Sequence, residues 1–374
     1  MRLLRFIPVM ILFMMCSCVD NELLDVTPDP SPQIPVPEEP EDVMPTDTVV
    51  DIYAVDPWTC SAFVKGMTDG QGSVSLEFKK ESDEDWTVWE PVEISDLSVF
   101  AELTGLEPDT PYLVRLTNSI STSPEVAFRT ALAETVPNLS FDDWYKDGSV
   151  WMPDANTESH VWDSANPGTS MLGVTPTTPE ESDVVSGKAA RLETTSVFGM
   201  LAAGNIYNGQ FGNIAGLGAE LDWGYPFTSR PLALHGYYKY APKAIDVAKD
   251  PYKDLKGSSD ECQIQILLTD WESQFHINTS DKIFVDMAND PHIIAYGSLV
   301  SSNTDSEYVE FTIPLIYRSK RIPKYIVIVG AASRYGDYFT GGKGSVLKLD
   351  EFSLIYNPAD LTPEEHAQVF SNLL

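Results

Sequence analysis

The sequence predicts an all-β protein of two unequal antiparallel sandwiches behind an exported N-terminal stretch. Three observations carry this: apolar residues alternate with period two along short segments, Gly, Asn, Asp and Pro fill the connections, and no long helical periodicity occurs. A length of 374 residues suggests two domains at roughly 150 residues each. A hydrophobic content of 43% is enough for packed cores and excludes a wholly disordered chain. Asp and Glu number 56 against 24 Lys and Arg, a formal charge of −32 with no basic patch, so no nucleic-acid partner is expected.

At the start of the chain, Arg2 and Arg5 precede an apolar run over residues 6–15. It is too short for the roughly 20 residues that cross a bilayer and reads as an export signal. The run ends Met14-Met15-Cys16-Ser17-Cys18. A small residue before cysteine resembles the lipobox of bacterial lipoproteins, implying a signal peptide over 1–17 and lipidation at Cys18. Bulky Met15 disfavours Cys16, and an ordinary signal peptide with incidental cysteines is the alternative. Val19-Asp20-Asn21-Glu22 resembles the surface-export signal of Bacteroidetes lipoproteins, which implies an outer-membrane lipid anchor and exposure at the cell surface. Residues 18–47 carry seven prolines, and nine acids without a base lie between Val19 and Val50. Proline blocks regular pairing and like charges repel, so this segment is expected to be an extended tether. Cys60 and Cys262 fall in different expected domains, so no disulfide framework is expected, and CxxC metal sites are absent.

Residues 48–133 form the first expected sandwich. Val74-Ser75-Leu76-Glu77-Phe78 and Tyr112-Leu113-Val114-Arg115-Leu116 alternate with period two. Between them, Leu103-Thr104-Gly105-Leu106-Glu107-Pro108-Asp109-Thr110-Pro111-Tyr112 resembles the Leu-x-Pro-x-Thr-x-Tyr signature of fibronectin type III modules. The resemblance implies an immunoglobulin-like sandwich with a tyrosine corner, the Tyr112 ring buried and its hydroxyl bonded to upstream backbone. Trp58, Trp86 and Trp89 are expected in its core rather than on a sugar-stacking face, and the module is expected to act as a spacer.

Residues 134–374 form the larger unit. Candidate strands are 139–145, 161–164, 189–194, 231–240, 261–270, 308–316, 324–329 and 345–356, which fit a jelly-roll sandwich. Thr362-Pro363-Glu364-Glu365 offers an N-cap, a proline at the first helical position and a capping-box Glu, so a short terminal helix is expected.

Several segments of this unit resemble the putative carbohydrate metabolism domain of secreted lipoproteins from gut Bacteroidetes. They are Asn138-Leu139-Ser140-Phe141-Asp142-Asp143-Trp144, Trp162-Asp163-Ser164-Ala165-Asn166, Lys188-Ala189-Ala190-Arg191-Leu192-Glu193-Thr194, Ala203-Gly204-Asn205-Ile206-Tyr207 and Phe227-Thr228-Ser229-Arg230-Pro231. Leu234-His235-Gly236-Tyr237-Tyr238-Lys239-Tyr240 and Gly344-Ser345-Val346-Leu347-Lys348-Leu349-Asp350-Glu351-Phe352 extend the likeness over most of 137–357. It implies a jelly roll similar to carbohydrate-binding modules, a role in polysaccharide use and an oligo- or polysaccharide partner; it assigns no catalytic residues.

Sugar recognition needs flat aromatic faces and planar polar groups. Candidates on loops or strand ends are Trp151, Trp162, Trp223, Tyr225, Trp271 and Tyr335, with Asp163, Asn166, Arg191, Arg230, Lys239 and Asp337 as polar partners. Each aromatic serves equally well as edge packing, and Arg191 either reaches the concave face or pairs with an acid in its sheet. In many carbohydrate-binding jelly rolls the first and last strands share a structural Ca²⁺, which makes Asp142 and Asp350 the candidate ligands. Otherwise no cofactor is required. Glycoside hydrolysis usually needs two carboxyls roughly 5–9.5 Å apart, and Glu193, Asp222, Asp260, Glu261, Asp270 and Glu272 are available without a motif to choose among them. GxSxG and HExxH are absent, and Gly341-Gly342-Lys343-Gly344 reads as a hairpin turn rather than a phosphate loop. Glycan binding is therefore the leading expectation, with a glycoside hydrolase or an adhesive surface protein as alternatives.

Overall fold

A computed structural model describes residues 50–197, 200–216 and 218–373. The signal peptide, the Cys18 lipidation site and the tether over 18–47 lie outside the described residues. The fold class is the expected one, antiparallel β-sandwiches throughout.

The first sandwich joins two four-stranded sheets. One runs Asp51–Pro57, Ser61–Met67, Ser98–Thr104, Glu93–Ser95; the other runs Thr87–Trp89, Ser75–Lys80, Pro111–Thr117, Val126–Arg129. Burial alternates strictly along Ser98–Thr104 and Pro111–Thr117, so Val99, Ala101, Leu103, Tyr112, Val114 and Leu116 share one core. The Glu107 backbone N–H donates to the Tyr112 hydroxyl at 2.9 Å, so the buried phenol is satisfied by the turn that precedes its strand.

In the larger unit, a nine-stranded sheet follows the path Phe275–Asn278, Gly218–Trp223, Asn205–Ala215, Tyr325–Ala331, Cys262–Thr269, Ile293–Ser301, Ile316–Tyr317, with Trp162–Asp163 and Tyr225–Pro226 pairing from the side. It packs on a five-stranded sheet ordered Thr177–Glu180, Ala189–Glu193, Val346–Ile355, Ala233–Ala241, Val309–Pro314. Period two again sorts the faces. Cys262, Ile264, Ile266, Leu268, Ile326 and Ile328 meet Leu192, Leu234, Tyr240, Leu347 and Leu349 between the sheets. Their neighbours Leu267, Val327, Val329 and Tyr207 belong to a second cluster on the outer face. A bulge between His235 and Tyr237 holds Glu351 at φ 49° and shifts the alternation by one residue, so Leu349 and Phe352 both reach the core while Asp350 is buried beneath the 183–188 loop. Cys60 and Cys262 are both free and buried.

Two expectations change. The segment 139–145 is a turn rather than a strand, because Asn138 and Phe141 are left-handed at φ 56° and 60°. The Asn138 side chain fixes that turn: its Oδ1 accepts from Asp143 N at 2.9 Å and its Nδ2 donates to Asp143 O at 3.0 Å. The first sandwich is also more than a spacer, since its Trp58 and Phe63 join the core of the larger unit.

The terminal helix Pro363–Val369 closes that junction. Thr362 Oγ1 accepts from Glu365 N while the Glu365 carboxylate accepts from Thr362 N, the reciprocal capping expected. The cap aims Phe370 into the junction, where its ring lies 4.9 Å from both Trp58 and Phe63. Phe370→Ala should destabilise the protein by about 3–5 kcal/mol through the cavity it leaves. Urea unfolding measures this, and a loss below about 1 kcal/mol would show that the helix does not tie the sandwiches together.

Candidate functional site

The outer face of the nine-stranded sheet carries a cleft, and the strand registers explain its floor. Gln263 and Asn205 each pair with Ala331, which places the two amides and the alanine in one row. Gln265 and Tyr207 each pair with Val329, which makes the next row. Trp223 continues the floor on the neighbouring strand, its ring 6.4 Å from that of Tyr207. Phe284, Val285 and Met287 wall one side, and Arg334, Asp337 and Tyr338 wall another.

Polar groups are poised over this floor. Gln263 Nε2 donates to Ser298 Oγ at 3.0 Å and Gln265 Nε2 to the Tyr296 hydroxyl at 3.3 Å, so neighbouring hydroxyls orient both amides. The Tyr207 hydroxyl and the Trp223 indole N–H are buried without a hydrogen-bond partner. An unmet buried polar group costs about 1–3 kcal/mol, so each of these two calls for a water or other polar group beside it. Asp337 is exposed at the cleft wall, where the protein crowded around it raises its carboxyl from the ordinary carboxylate range.

The wall that bears Arg334 and Asp337 hangs from a buried carboxylate. Asp260 Oδ2 accepts from Ser333 Oγ at 2.6 Å, Gly342 N at 2.8 Å and Ser345 Oγ at 2.8 Å, and Oδ1 accepts from Glu261 N at 2.9 Å. Both ends of the 333–342 loop are thereby fixed to the start of the Cys262–Thr269 strand. Within the loop, Tyr335 stacks on Tyr252 at 4.1 Å.

Of the candidate sugar contacts, the cleft unites Trp223 and Asp337, with Tyr335 on the adjoining loop. The others lie elsewhere. Trp162 is 1% exposed and donates its indole N–H to Pro137 O, and Trp271 is 6% exposed and donates to Asp290 Oδ2, so neither offers a stacking face. Arg230 is a bolt between the sandwiches: it bonds Pro57 O and Lys320 O and lies over the Trp58 ring at 4.1 Å. Asp163 is buried accepting from Ser164 N and Phe211 N, and Asn166 from Thr177 N; both hold loops. Tyr225 packs against the main core. Arg191 pairs with Glu193 at 2.7 Å and Lys239 with Asp183 at 2.9 Å, both on the five-stranded sheet, away from the cleft. Trp151 is half-buried on a separate two-stranded ribbon with Lys146 Nζ 4.4 Å over its ring.

Asp142 and Asp350 do converge on one loop, but both carboxylates are taken up by hydrogen-bond donors. Asp142 Oδ1 accepts from Lys188 N at 2.7 Å and Oδ2 from Ser140 Oγ at 3.0 Å, while Asp350 Oδ2 accepts from Val185 N at 2.6 Å. Only Asp350 Oδ1 is unpartnered, and the described residues hold no group of three potential acidic, His or Cys ligands. Calcium takes about six to eight oxygens, so this donor-lined pair does not fit the expected site and instead clamps the loop over 183–188.

A second acidic feature sets a pH dependence. Asp154 is 3% exposed, and burial pushes its carboxyl up to about 7 against weak bonds from Trp162 N and Val161 N; burial likewise lifts Asp163 to about 6. The folded state then holds protons that the unfolded chain has released, so stability is lost as pH rises from about 4 to 7. For Asp154 the loss is at most about 4 kcal/mol. Chemical unfolding at pH 5 and pH 8 should show the protein more stable at pH 5, and Asp154→Asn should flatten the difference. Equal slopes in both proteins would remove Asp154 as the cause.

The chain is an antiparallel β-sandwich protein with an amide- and aromatic-floored cleft on its outer sheet face. Residues 140–355 match the putative carbohydrate metabolism domain, and the chain belongs to that family. Among solved structures it is similar to a putative glycoside hydrolase from Bacteroides thetaiotaomicron, at 22% identity and TM-score 0.49 over 70% of this chain and 86% of that one. A putative glycoside hydrolase from Bacteroides vulgatus matches at 20% identity and TM-score 0.44, over 57% of this chain and 89% of that one. The tandem CBM22 domain of Paenibacillus barcinonensis Xyn10C matches at 9% identity and TM-score 0.24, over 80% of each chain. No curated protein matches the chain.

Proposed function

We propose that this protein is a cell-surface lipoprotein that binds complex glycans in the cleft as part of polysaccharide use. In this reading acylated Cys18 anchors it in the outer membrane, the tether of 18–47 spans outward, and the sandwich of 48–133 supports the 134–374 domain. The observation that carries the binding function is the make-up of the cleft. It offers the half-buried Trp223 ring beside the buried Tyr207, the Asn205, Gln263 and Gln265 amides, Arg334, and a single carboxylate, Asp337, among the residues that line it. Rings meet the apolar face of a pyranose and amides meet its hydroxyl pairs, whereas hydrolysis by the usual route needs a second carboxyl.

Hydrolysis is the second reading, favoured by one observation: the cleft wall carries a carboxyl, Asp337, beside the amides and the Trp223 ring. Incubation with a panel of plant and host polysaccharides separates the two. Retention on a glycan without new reducing ends is the expected result. Release of oligosaccharides that stops in Asp337→Asn would make the protein a hydrolase, and no retention on any glycan would overturn both readings.

A further inference from the structure

Beside the polar floor the cleft opens into a second chamber of about 380 Å³, against about 70 Å³ for the first. Ala203, Asn205, Tyr207, Leu221, Gly336 and Asp337 border both, so the two lie side by side. Their chemistry differs sharply. The second chamber is lined by Met171, Leu172, Leu201, Phe211, Ile214 and Phe339, with few polar groups among its walls. Gly168 belongs to the same wall, and a Cβ there would meet the Phe211 ring at 3.0 Å, so glycine lets that ring approach the backbone closely.

Three of these side chains stand in water at the rim: Met171 is 77% exposed, Leu172 45% and Ile214 47%. Scattered exposed apolar residues need no explanation, but three around the mouth of one apolar chamber mark a binding surface. The wider volume lies in the range of small-molecule pockets, whereas the narrow chamber is too small to enclose a whole pyranose, so a sugar lies across its mouth rather than inside it.

We infer that the natural ligand is amphipathic, a glycan carrying an aryl or acyl group, with sugar over the amide rows and the apolar group in the second chamber. The inference rests on the glycan reading above and adds the substrate class to it. Asp337 and Asn205 stand where the two parts of such a ligand join, on the shared wall.

The test titrates the full-length protein with methyl and phenyl glycosides of glucose, galactose, mannose, xylose and N-acetylglucosamine. Neutral N-phenyl-1-naphthylamine serves as a probe of the apolar chamber alone. For whichever sugar binds, the phenyl glycoside should bind at least about tenfold more tightly than its methyl partner, from the apolar area it buries. Leu172→Glu and Ile214→Glu, both at exposed positions where folding tolerates charge, should bring that ratio to about one and abolish the naphthylamine signal. Equal affinity for methyl and phenyl glycosides in the unaltered protein would overturn the amphipathic ligand and leave glycan binding intact. Saturable naphthylamine binding that no phenyl glycoside displaces would likewise overturn the amphipathic ligand, and no binding of any glycoside of either series would overturn the glycan reading as well.

Discussion

Asp260→Ala is expected to destabilise the protein by about 3–4 kcal/mol and to weaken glycan binding together with it. The carboxylate is 1% exposed and accepts four hydrogen bonds, so its removal leaves the Gly342 and Glu261 N–H groups and two serine hydroxyls without their acceptor in a dry site. Burial pushes the carboxyl up even against those four donors, a measure of how little water reaches it. The binding loss follows from geometry, because the anchored loop carries Arg334 and Asp337. Asp260→Asn keeps one acceptor oxygen and turns an amide N–H₂ toward donors, so it should fall between the native protein and alanine. Thermal and urea unfolding report the stability, and titration below the melting range reports the binding. An alanine variant within about 1 kcal/mol of the native protein would show that the loop is held by other contacts.

The second large effect is on affinity alone. Trp223→Ala should lower glycan affinity on the order of 10- to 100-fold, the loss expected when a central aromatic anchor is truncated. Its ring is half-buried at the edge of the floor and its indole N–H lacks a partner. Trp223→Phe retains a flat face but no donor, so it should lose less than alanine. Such an ordering separates stacking from hydrogen bonding, and equal losses in the two variants would assign the effect to the indole N–H.

Much of the scaffold was legible in the sequence because burial on one face writes period two directly into it. Cys262-Gln263-Ile264-Gln265-Ile266 is an instance: the apolar members face the inter-sheet core and the glutamines face the cleft. That alternation would also have identified the two glutamines as site residues. The cleft as a whole was harder to read because much of its floor is the strand Asn205–Ala215. Asn-Gly-Gln-Phe-Gly-Asn within it reads as a loop, whereas Gly209 is there because a Cβ would sit 2.1 Å from Asp222 O on the adjacent strand. A bulge between Phe211 and Ile214 further breaks the pattern. Conversely, Trp162, Trp271 and Arg230 look like ligand contacts by residue type and loop position. Their burial depends on distant partners, Pro137, Asp290 and Pro57, that no local pattern announces.

The most direct test of the central claim is amide hydrogen exchange of the protein with and without a retained glycan. Binding in the cleft predicts protection concentrated in residues 205–211, 263–265 and 333–339, with little change in the outer strands of the five-stranded sheet. Protection centred instead on the Ala189–Glu193 and Ala233–Ala241 strands, where Arg191 and Lys239 stand, would contradict the assignment of the cleft as the glycan site.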